Sequence, residues 1–129
     1  EIRDQHAEVM KEIETKMFAY LKEICEEGGY TYSVSPISYH APAPMHEAVK
    51  GAIERAVKRT GTKYTVLPSG AFHDSLLMTG FVPTGMIFVP SEKGISHSRY
   101  EYTKEEDIER GCNVLLQTIL EADNMEMTC

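Results

Sequence analysis

The sequence GMIFVPSEKGISHS at residues 85–98 decides the predicted fold, because a compact apolar run leads directly into a polar loop. Residues 85–89 are apolar without alternation, which is typical of a β-strand buried on both faces. A second polar loop, PSGAFHD at residues 68–74, follows a short β-prone segment at residues 63–67. Ligands gather outside the carboxyl ends of strands in open α/β sheets, so these two loops are the candidate sites for chemistry.

Helical spacing surrounds both predicted strands. Apolar residues at intervals of three and four predict a helix over residues 45–59, capped by Gly61, and residues 75–79 form a short helix. Thr103 and Glu106 form a capping box that begins a last helix. The buried stripe predicted for that helix is Ile108, Cys112, Leu115, Leu116 and Ile119. The order helix, strand, helix, strand, helix predicts an α/β layer with strands covered on both faces.

The beginning of the chain has a different pattern. Apolar residues recur with helical spacing from about Asp4 to Glu27, which predicts a long amphipathic helix with one buried face. Asp4 is the predicted N-cap, and Gly28-Gly29 is the predicted stop. Tyrosine and valine then alternate with polar residues over residues 30–39, which predicts a strand with one face buried.

The segment HAPAP at residues 40–44 is the strongest boundary in the chain, because its two prolines prevent either neighbouring element from continuing. We therefore predict two parts, residues 1–41 and residues 42–129. The first part holds one helix and one strand, too little to form a core alone. The opening EIRD at residues 1–4 is typical of a strand running into a helix, which fits a chain cut from a longer protein or a truncated gene.

Composition excludes several classes of function. The formal net charge is −7 and no basic cluster is present, so nucleic acid and anionic membranes are poor partners. No apolar run approaches the roughly 18 residues that a membrane-spanning helix needs. The three cysteines, Cys25, Cys112 and Cys129, are odd in number and form no C-x-x-C pair. This pattern predicts a protein of the reducing cytoplasm.

The two polar loops each contain a histidine. His97 is a candidate metal ligand, since imidazole is the commonest ligand for zinc, and the same pattern also fits a solvent-exposed loop histidine. His73 is either an imidazole oriented by Asp74 or a packed side chain beside a helix-capping aspartate. Cys112 is interpreted as a packing residue. The remaining histidines are interpreted as surface or hinge residues: His6, His40 and His46.

The motifs PSGAFHD, GMIFVPS and GISHS, in this order and spacing, resemble those of one enzyme family. They are similar to the C-terminal catalytic segment of the N-carbamoyl-L-amino acid hydrolases, β-ureidopropionases and allantoate amidohydrolases, within the clan of zinc aminoacylases and carboxypeptidases. EIRD resembles the Asp-Ile-Arg junction of that family's smaller lid domain. The resemblance implies the C-terminal part of a zinc-peptidase-like catalytic α/β domain, joined to a helix-strand remnant of an α+β lid or dimerisation domain.

The resemblance also implies roles for individual residues. His97 matches the last metal ligand of the family's site. The pattern alone fits Arg3 as a snorkelling or salt-bridged side chain at a strand-to-helix junction. By resemblance, Arg3 matches an arginine that grips the substrate carboxylate, a task that suits the two parallel donors of a guanidinium. Phe72 stands where the family has glycine, in a turn that approaches the substrate, and brings bulk where glycine allows positive φ. Glu101 matches the acid that follows the histidine, although Arg99-Tyr100 replace the usual Pro-Glu.

The implied chemistry is hydrolysis of a ureido or amide C–N bond in an N-carbamoyl-amino-acid-like or allantoate-like small molecule. A divalent metal, zinc or manganese, serves the complete protein by lowering the pKa of bound water from ~15.7 toward ~7. The family's other metal ligands and its general-base glutamate belong to an N-terminal part absent from this sequence. The chain alone is therefore expected to be inactive, and its expected partner is that N-terminal half or a second copy in a homodimer.

The alternative function is a non-catalytic dimerisation or interaction module derived from the same family. A partial lid domain leaves strand edges and apolar helix surface without a partner, and such surfaces favour self-association.

Overall fold

The computed structural model describes residues 1–125, which contain four α-helices, one short 3₁₀-helix and no β-strand. The α-helices are α1 (Ala7–Gly28), α2 (Glu47–Thr60), α3 (Asp74–Met78) and α4 (Glu105–Asp123). The 3₁₀-helix, Glu92–Gly94, lies between α3 and α4 in the sequence. The fraying predicted for the end of the chain and the location of Cys129 lie outside the described residues.

The chain forms two structural units. Unit 1 consists of Glu1–Pro44 and Pro68–Phe72, and therefore contains α1. Unit 2 consists of Met45–Leu67 and His73–Cys129, and contains the other helices. The assignment of residues 1–41 to a lid domain and of residues 42–129 to a catalytic domain stays a prediction.

Glycine ends both α1 and α2, as the sequence predicts. Gly29 has φ +66° and its N–H donates to the Cys25 carbonyl. Gly61 also has φ +66°, and its N–H donates to the carbonyls of Val57 and Lys58. This left-handed conformation costs an ordinary L-residue about 1–2 kcal/mol, whereas glycine adopts it freely.

The helix starts differ from the prediction. The predicted capping box of α4 is wrong, because Lys104 occupies the capping position and Thr103 lies one residue too early. Asp4 also precedes the cap of α1, where its carboxylate accepts a hydrogen bond from the His6 N–H at 2.8 Å. His46 caps α2 through Nδ1, which accepts from the Ala48 N–H at 3.2 Å. Capping by histidine has no strong sequence signal, so the pattern alone missed it.

The strands predicted at residues 30–39, 63–67 and 85–89 do not form within residues 1–125. A strand exists only through ladder hydrogen bonds to a neighbouring strand, and no two of these segments form such a ladder in the described part of the chain. Alternating or apolar sequence marks a segment that suits a sheet, but pairing requires a partner. The α/β prediction is therefore correct for the helices and wrong for the strands of this structure.

The core of unit 2 lies between α2 and α4. Ala56 and Val57 of α2 and Val114 of α4 form a buried cluster, and Ile53 and Ile87 pack against it. Ala56 is fully buried, and its small side chain lets this face of α2 pack closely against Val114 of α4. This pairing of helices positions the segment that carries Ile87.

Two glycines allow residues 85–89 to pack closely against both helices. A Cβ on Gly85 would lie 2.6 Å from Val49 Cγ1 of α2. A Cβ on Gly111 of α4 would lie 2.5 Å from Val89 Cγ1. Both distances are far below van der Waals contact, so the segment is seated between α2 and α4 only because these side chains are absent.

The stripe predicted as the buried face of α4 is largely exposed in this chain. Val114 and Thr118 are the buried residues of α4, so the helix packs through a neighbouring face. The exposed stripe, which we call the α4 apolar face, consists of Ile108, Cys112, Leu115, Leu116 and Ile119, whose large aliphatic members are 47–56% exposed. The prediction failed because apolar residues occupy more than one face of α4, and periodicity does not reveal which face has a partner.

The α1 helix likewise has little buried surface. Cys25 is its only buried residue, whereas Ile13, Met17 and Ile24 are 41–49% exposed. The predicted buried face is therefore open within this chain. Neither α1 nor any other helix within residues 1–125 combines the length and the apolar character needed to cross a bilayer.

An ion-pair cluster joins α2 to α4. The Glu121 carboxylate accepts a hydrogen bond from Arg55 Nε at 3.0 Å and also pairs with the Arg59 guanidinium. The Arg55 hydrogen bond lowers the pKa of Glu121 most, and the positive charge of Arg59 adds to this effect against an opposing contribution from burial. The ionised carboxylate is therefore favoured in the folded state.

We expect Glu121→Gln to lower stability at neutral pH but not in acid. A carboxyl group whose folded-state pKa is lowered stabilises the fold above its unfolded-state pKa, and loses this contribution as the pH falls through the folded-state value. Urea midpoints across the acidic range should therefore converge for the two proteins. Glu109→Gln, an exposed neighbour on α4, is the control and should show no pH-dependent difference. A gap between wild type and Glu121→Gln that stays constant into strong acid would contradict this role.

Candidate functional site

In unit 1, Arg3 contacts the turn at residues 68–72. Its Nη1 donates to the Gly70 carbonyl, across 67 positions of sequence. Its Nη2 donates to the Glu1 carboxylate at 2.6 Å. The Arg3 side chain is 53% exposed, so the guanidinium stays open to solvent. The structure thus brings together Arg3 and the turn at residues 68–72, both of which the family resemblance implies to face substrate.

Phe72 lies at the end of the same turn. Its φ is not positive, so phenylalanine costs no backbone strain where the family has glycine. Phe72 is 53% exposed, and its ring meets the His40 ring edge-on, with centroids 4.8 Å apart and planes 63° apart. His40, interpreted from the sequence as a surface or hinge residue, is therefore also an aromatic neighbour of Phe72. The sequence gives no signal for this contact.

His97 lies in an exposed loop of unit 2. Its backbone is left-handed, with φ +55°, which is uncommon for a residue other than glycine. Its N–H donates to the Glu101 carboxylate at 2.9 Å, and its Nδ1 lies 3.2 Å from the Ser96 hydroxyl. Glu101 thus fixes the backbone of His97. Exposure of the imidazole fits both a loop histidine and a ligand whose companions lie on another polypeptide segment.

The described residues do not form a complete metal site. Within residues 1–125, no three side chains of histidine, cysteine, aspartate or glutamate converge as a metal site requires. Zinc sites use three or four protein ligands, so His97 by itself does not hold a zinc or manganese ion. No chemical step at a metal follows from these residues alone.

The structure also shows what surrounds His73 and Asp74 and how exposed Cys112 is. The His73 ring packs against Phe88, with centroids 5.5 Å apart, and His73 occupies the capping position of α3. Asp74 begins that helix and does not cap it, so the predicted aspartate cap is wrong. Cys112 is exposed, which overturns its interpretation as a buried packing residue.

A polar cavity of about 350 Å³ lies between the end of α2 and α4, apart from all the predicted site residues. Its arginines already have partners, because Arg59 pairs with Glu121 and Arg110 donates to Asp107 at 2.5 Å. The cavity is lined by Arg59, Thr60, Thr62, Arg110, Asn113 and Gln117. Its charges are therefore balanced without a ligand.

Comparison with known proteins identifies relatives over nearly the whole chain. The family model "Peptidase family M20/M25/M40" matches residues 4–121. The chain is 36% identical over 119 residues to the N-carbamoyl-L-amino acid amidohydrolase of Geobacillus stearothermophilus, covering 92% of this chain and 29% of that protein. It is 33% identical over 115 residues to the allantoate amidohydrolase of Bacillus subtilis, covering 89% and 28%.

Solved structures agree with these relatives. An amidase of the hydantoinase/carbamoylase family from Burkholderia multivorans superposes with a TM-score of 0.90 at 30% identity, covering 97% of this chain and 30% of that one. The chain therefore spans less than a third of the relatives that it matches. Matched motifs, matched fold and the extent of the family match lead to one conclusion: the chain belongs to peptidase family M20/M25/M40, whose members similar to it include amidohydrolases for N-carbamoyl amino acids and allantoate.

Proposed function

We propose that this chain is part of a metal-dependent amidohydrolase that hydrolyses a ureido or amide C–N bond of N-carbamoyl-amino-acid-like or allantoate-like substrates. Family membership and the activities named for the two relatives support this proposal. The chain spans only 29% and 28% of those relatives, so we propose that further polypeptide supplies the rest of the active site.

The observation that carries the proposal is the hydrogen bond from Arg3 to the Gly70 carbonyl. It joins two distant motifs in one unit and places an exposed guanidinium beside the turn. Guanidinium binds carboxylate through two parallel hydrogen bonds, and the Glu1 carboxylate already occupies one of its nitrogens. In the proposed function, the substrate carboxylate takes the place of Glu1, and Phe72 contacts the rest of the substrate.

We also propose that His97 is one of several ligands of a divalent ion, zinc or manganese, in the complete protein. Its Nε2 makes no hydrogen bond within residues 1–125, whereas Nδ1 has the Ser96 hydroxyl as a neighbour. A second ring nitrogen held by a hydrogen bond is the usual arrangement for a metal-binding histidine. The left-handed backbone of His97 fits this role, since strained residues cluster at functional sites.

A cytoplasmic location and a homodimer belong to the same proposal. The odd number of cysteines and the lack of a C-x-x-C pair favour a reducing compartment. The exposed apolar residues of α1 suit contact with a second copy or with the rest of the protein.

The isolated chain is expected to release no ammonia from N-carbamoyl amino acids in the presence of zinc or manganese. The reason is that one histidine does not complete a metal site. The positive arm is a chimera in which this chain replaces the matching segment of the Geobacillus relative. Similarity over 92% of this chain favours folding of the chimera, which should release ammonia from N-carbamoyl amino acids or allantoate. The relative without its matching segment is the inactive control. Turnover by the isolated chain, or a folded chimera inactive on all these substrates, would contradict the proposal.

The second candidate function is a non-catalytic dimerisation or interaction module. The exposed Ile13, Met17 and Ile24 of α1 favour it, because open apolar surface promotes association. Light scattering gives the solution mass that tests this candidate. A self-associating chain together with an inactive, folded chimera would favour the module, whereas a monomeric chain together with an active chimera would exclude it.

A further inference from the structure

An exposed aromatic ring and an exposed cation share one turn of unit 1. Phe72 is 53% exposed, and so is the side chain of Arg3. Arg3 donates to the carbonyl of Gly70, which lies two residues before Phe72. Two residues of chain span at most about 7 Å, so the backbone of Phe72 lies close to the carbonyl that the Arg3 guanidinium contacts.

The Phe72 ring has a defined neighbour. His40 meets it edge-on at 4.8 Å and 63°, which is a favourable geometry for an aromatic pair. His40 begins the HAPAP segment, whose prolines restrict the backbone of residues 41–44, directly after it. The contact limits the directions that the Phe72 side chain takes and leaves part of the ring open to a ligand.

We infer that His40 and Phe72 form an aromatic wall beside Arg3 that favours carboxylate ligands with an aromatic side chain. Phe72 contacts the ligand side chain, and His40 is a positioning residue that acts through Phe72. The inference rests on the proposed role of Arg3 in binding the substrate carboxylate. A glycine at position 72 has no side chain that stacks on a ligand ring, so the preference comes from the phenylalanine itself.

The test is an NMR titration of the 129-residue chain with three ligands. N-carbamoyl-L-phenylalanine has both groups, N-carbamoylglycine lacks the ring, and benzylurea lacks the carboxylate. We expect N-carbamoyl-L-phenylalanine to bind about three- to tenfold more tightly than N-carbamoylglycine, as one aromatic contact provides. Arg3→Met should weaken both carboxylates and leave benzylurea unchanged.

Variants of Phe72 and His40 test whether these residues position the ligand or only support the fold. Phe72→Gly should bring the ratio of the two affinities close to one. His40→Ala should also reduce the ratio, and His40→Phe should restore it because an aromatic edge returns. His6→Ala is the matched control, since His6 is another exposed histidine of unit 1 and makes no ring contact among the described residues.

The outcomes distinguish the two proposals. Equal, Arg3-dependent affinities for the two carboxylates would overturn the aromatic wall and leave the role of Arg3 intact. An undiminished preference in His40→Ala would overturn the positioning role of His40. Carboxylate binding that ignores Arg3→Met, or no carboxylate binding at all, would overturn the proposed role of Arg3 and the aromatic wall with it, whereas the chimera tests the proposed hydrolase activity separately.

Discussion

His97→Ala in the Geobacillus chimera is expected to lower kcat/KM for N-carbamoyl amino acids about a thousandfold. A metal ion stabilises the transition state by several kcal/mol, and each 1.36 kcal/mol is a factor of ten in rate. Loss of one ligand from a site of three or four removes much of that effect. The bound metal should fall in the same variant, and elemental analysis of the purified protein measures it together with ammonia release.

His6→Ala in the same chimera is the control for that substitution. His6 is an exposed histidine near the start of α1, so its loss should change neither activity nor metal content. Glu101→Gln should lower activity and metal content less than His97→Ala does, because the amide oxygen still accepts a hydrogen bond from the His97 N–H but carries no negative charge. An active, metal-loaded His97→Ala chimera would rule out His97 as a ligand.

Gly111→Ala and Gly51→Ala are expected to change stability in opposite directions, although both glycines lie inside helices. Gly51→Ala should stabilise by about 0.5–1 kcal/mol through helix propensity, since the new Cβ meets only the flexible end of Arg55 at 3.3 Å. Gly111→Ala gains the same propensity, but its Cβ would lie 2.5 Å from Val89 Cγ1. Overpacking of that kind costs about 1–3 kcal/mol, so the net effect is destabilising.

Urea unfolding followed by circular dichroism gives both free energies of unfolding. Gly111→Ala combined with Val89→Ala tests the cause, because removing the γ-methyl groups should recover part of the loss caused by Gly111→Ala. Stabilisation by Gly111→Ala equal to that of Gly51→Ala would mean that Val89 does not pack against α4.

The helices and their glycine stops were predictable because their causes are local. Helical spacing identifies α1 and α2, and Gly29 and Gly61 adopt the one conformation that ends a helix at little cost. The motifs that resemble the family are also short, local stretches of sequence. The family match over residues 4–121 confirms that resemblance.

Features that depend on distant partners were not predictable. Residues 85–89 have the composition of a buried strand, yet pairing needs a neighbour that the described part of the chain lacks. The α4 apolar face has the correct period but stays about half exposed within residues 1–125, because α4 meets α2 through Val114. The contact of His40 with Phe72 joins residues far apart in sequence, which no local pattern reveals. The roles of Arg3, Phe72 and His97 stay predictions that the experiments above test.

The position of Cys112 on the α4 apolar face makes that surface chemically addressable. Cys112 is exposed, whereas Cys25 is 8% exposed, so we expect bulky maleimides to react preferentially with Cys112. With Cys129 replaced by serine, a polarity-sensitive fluorophore attached at Cys112 would shift its emission to the blue whenever another polypeptide covers the helix. The emission wavelength would then report in real time when another polypeptide binds the α4 apolar face, without an activity assay.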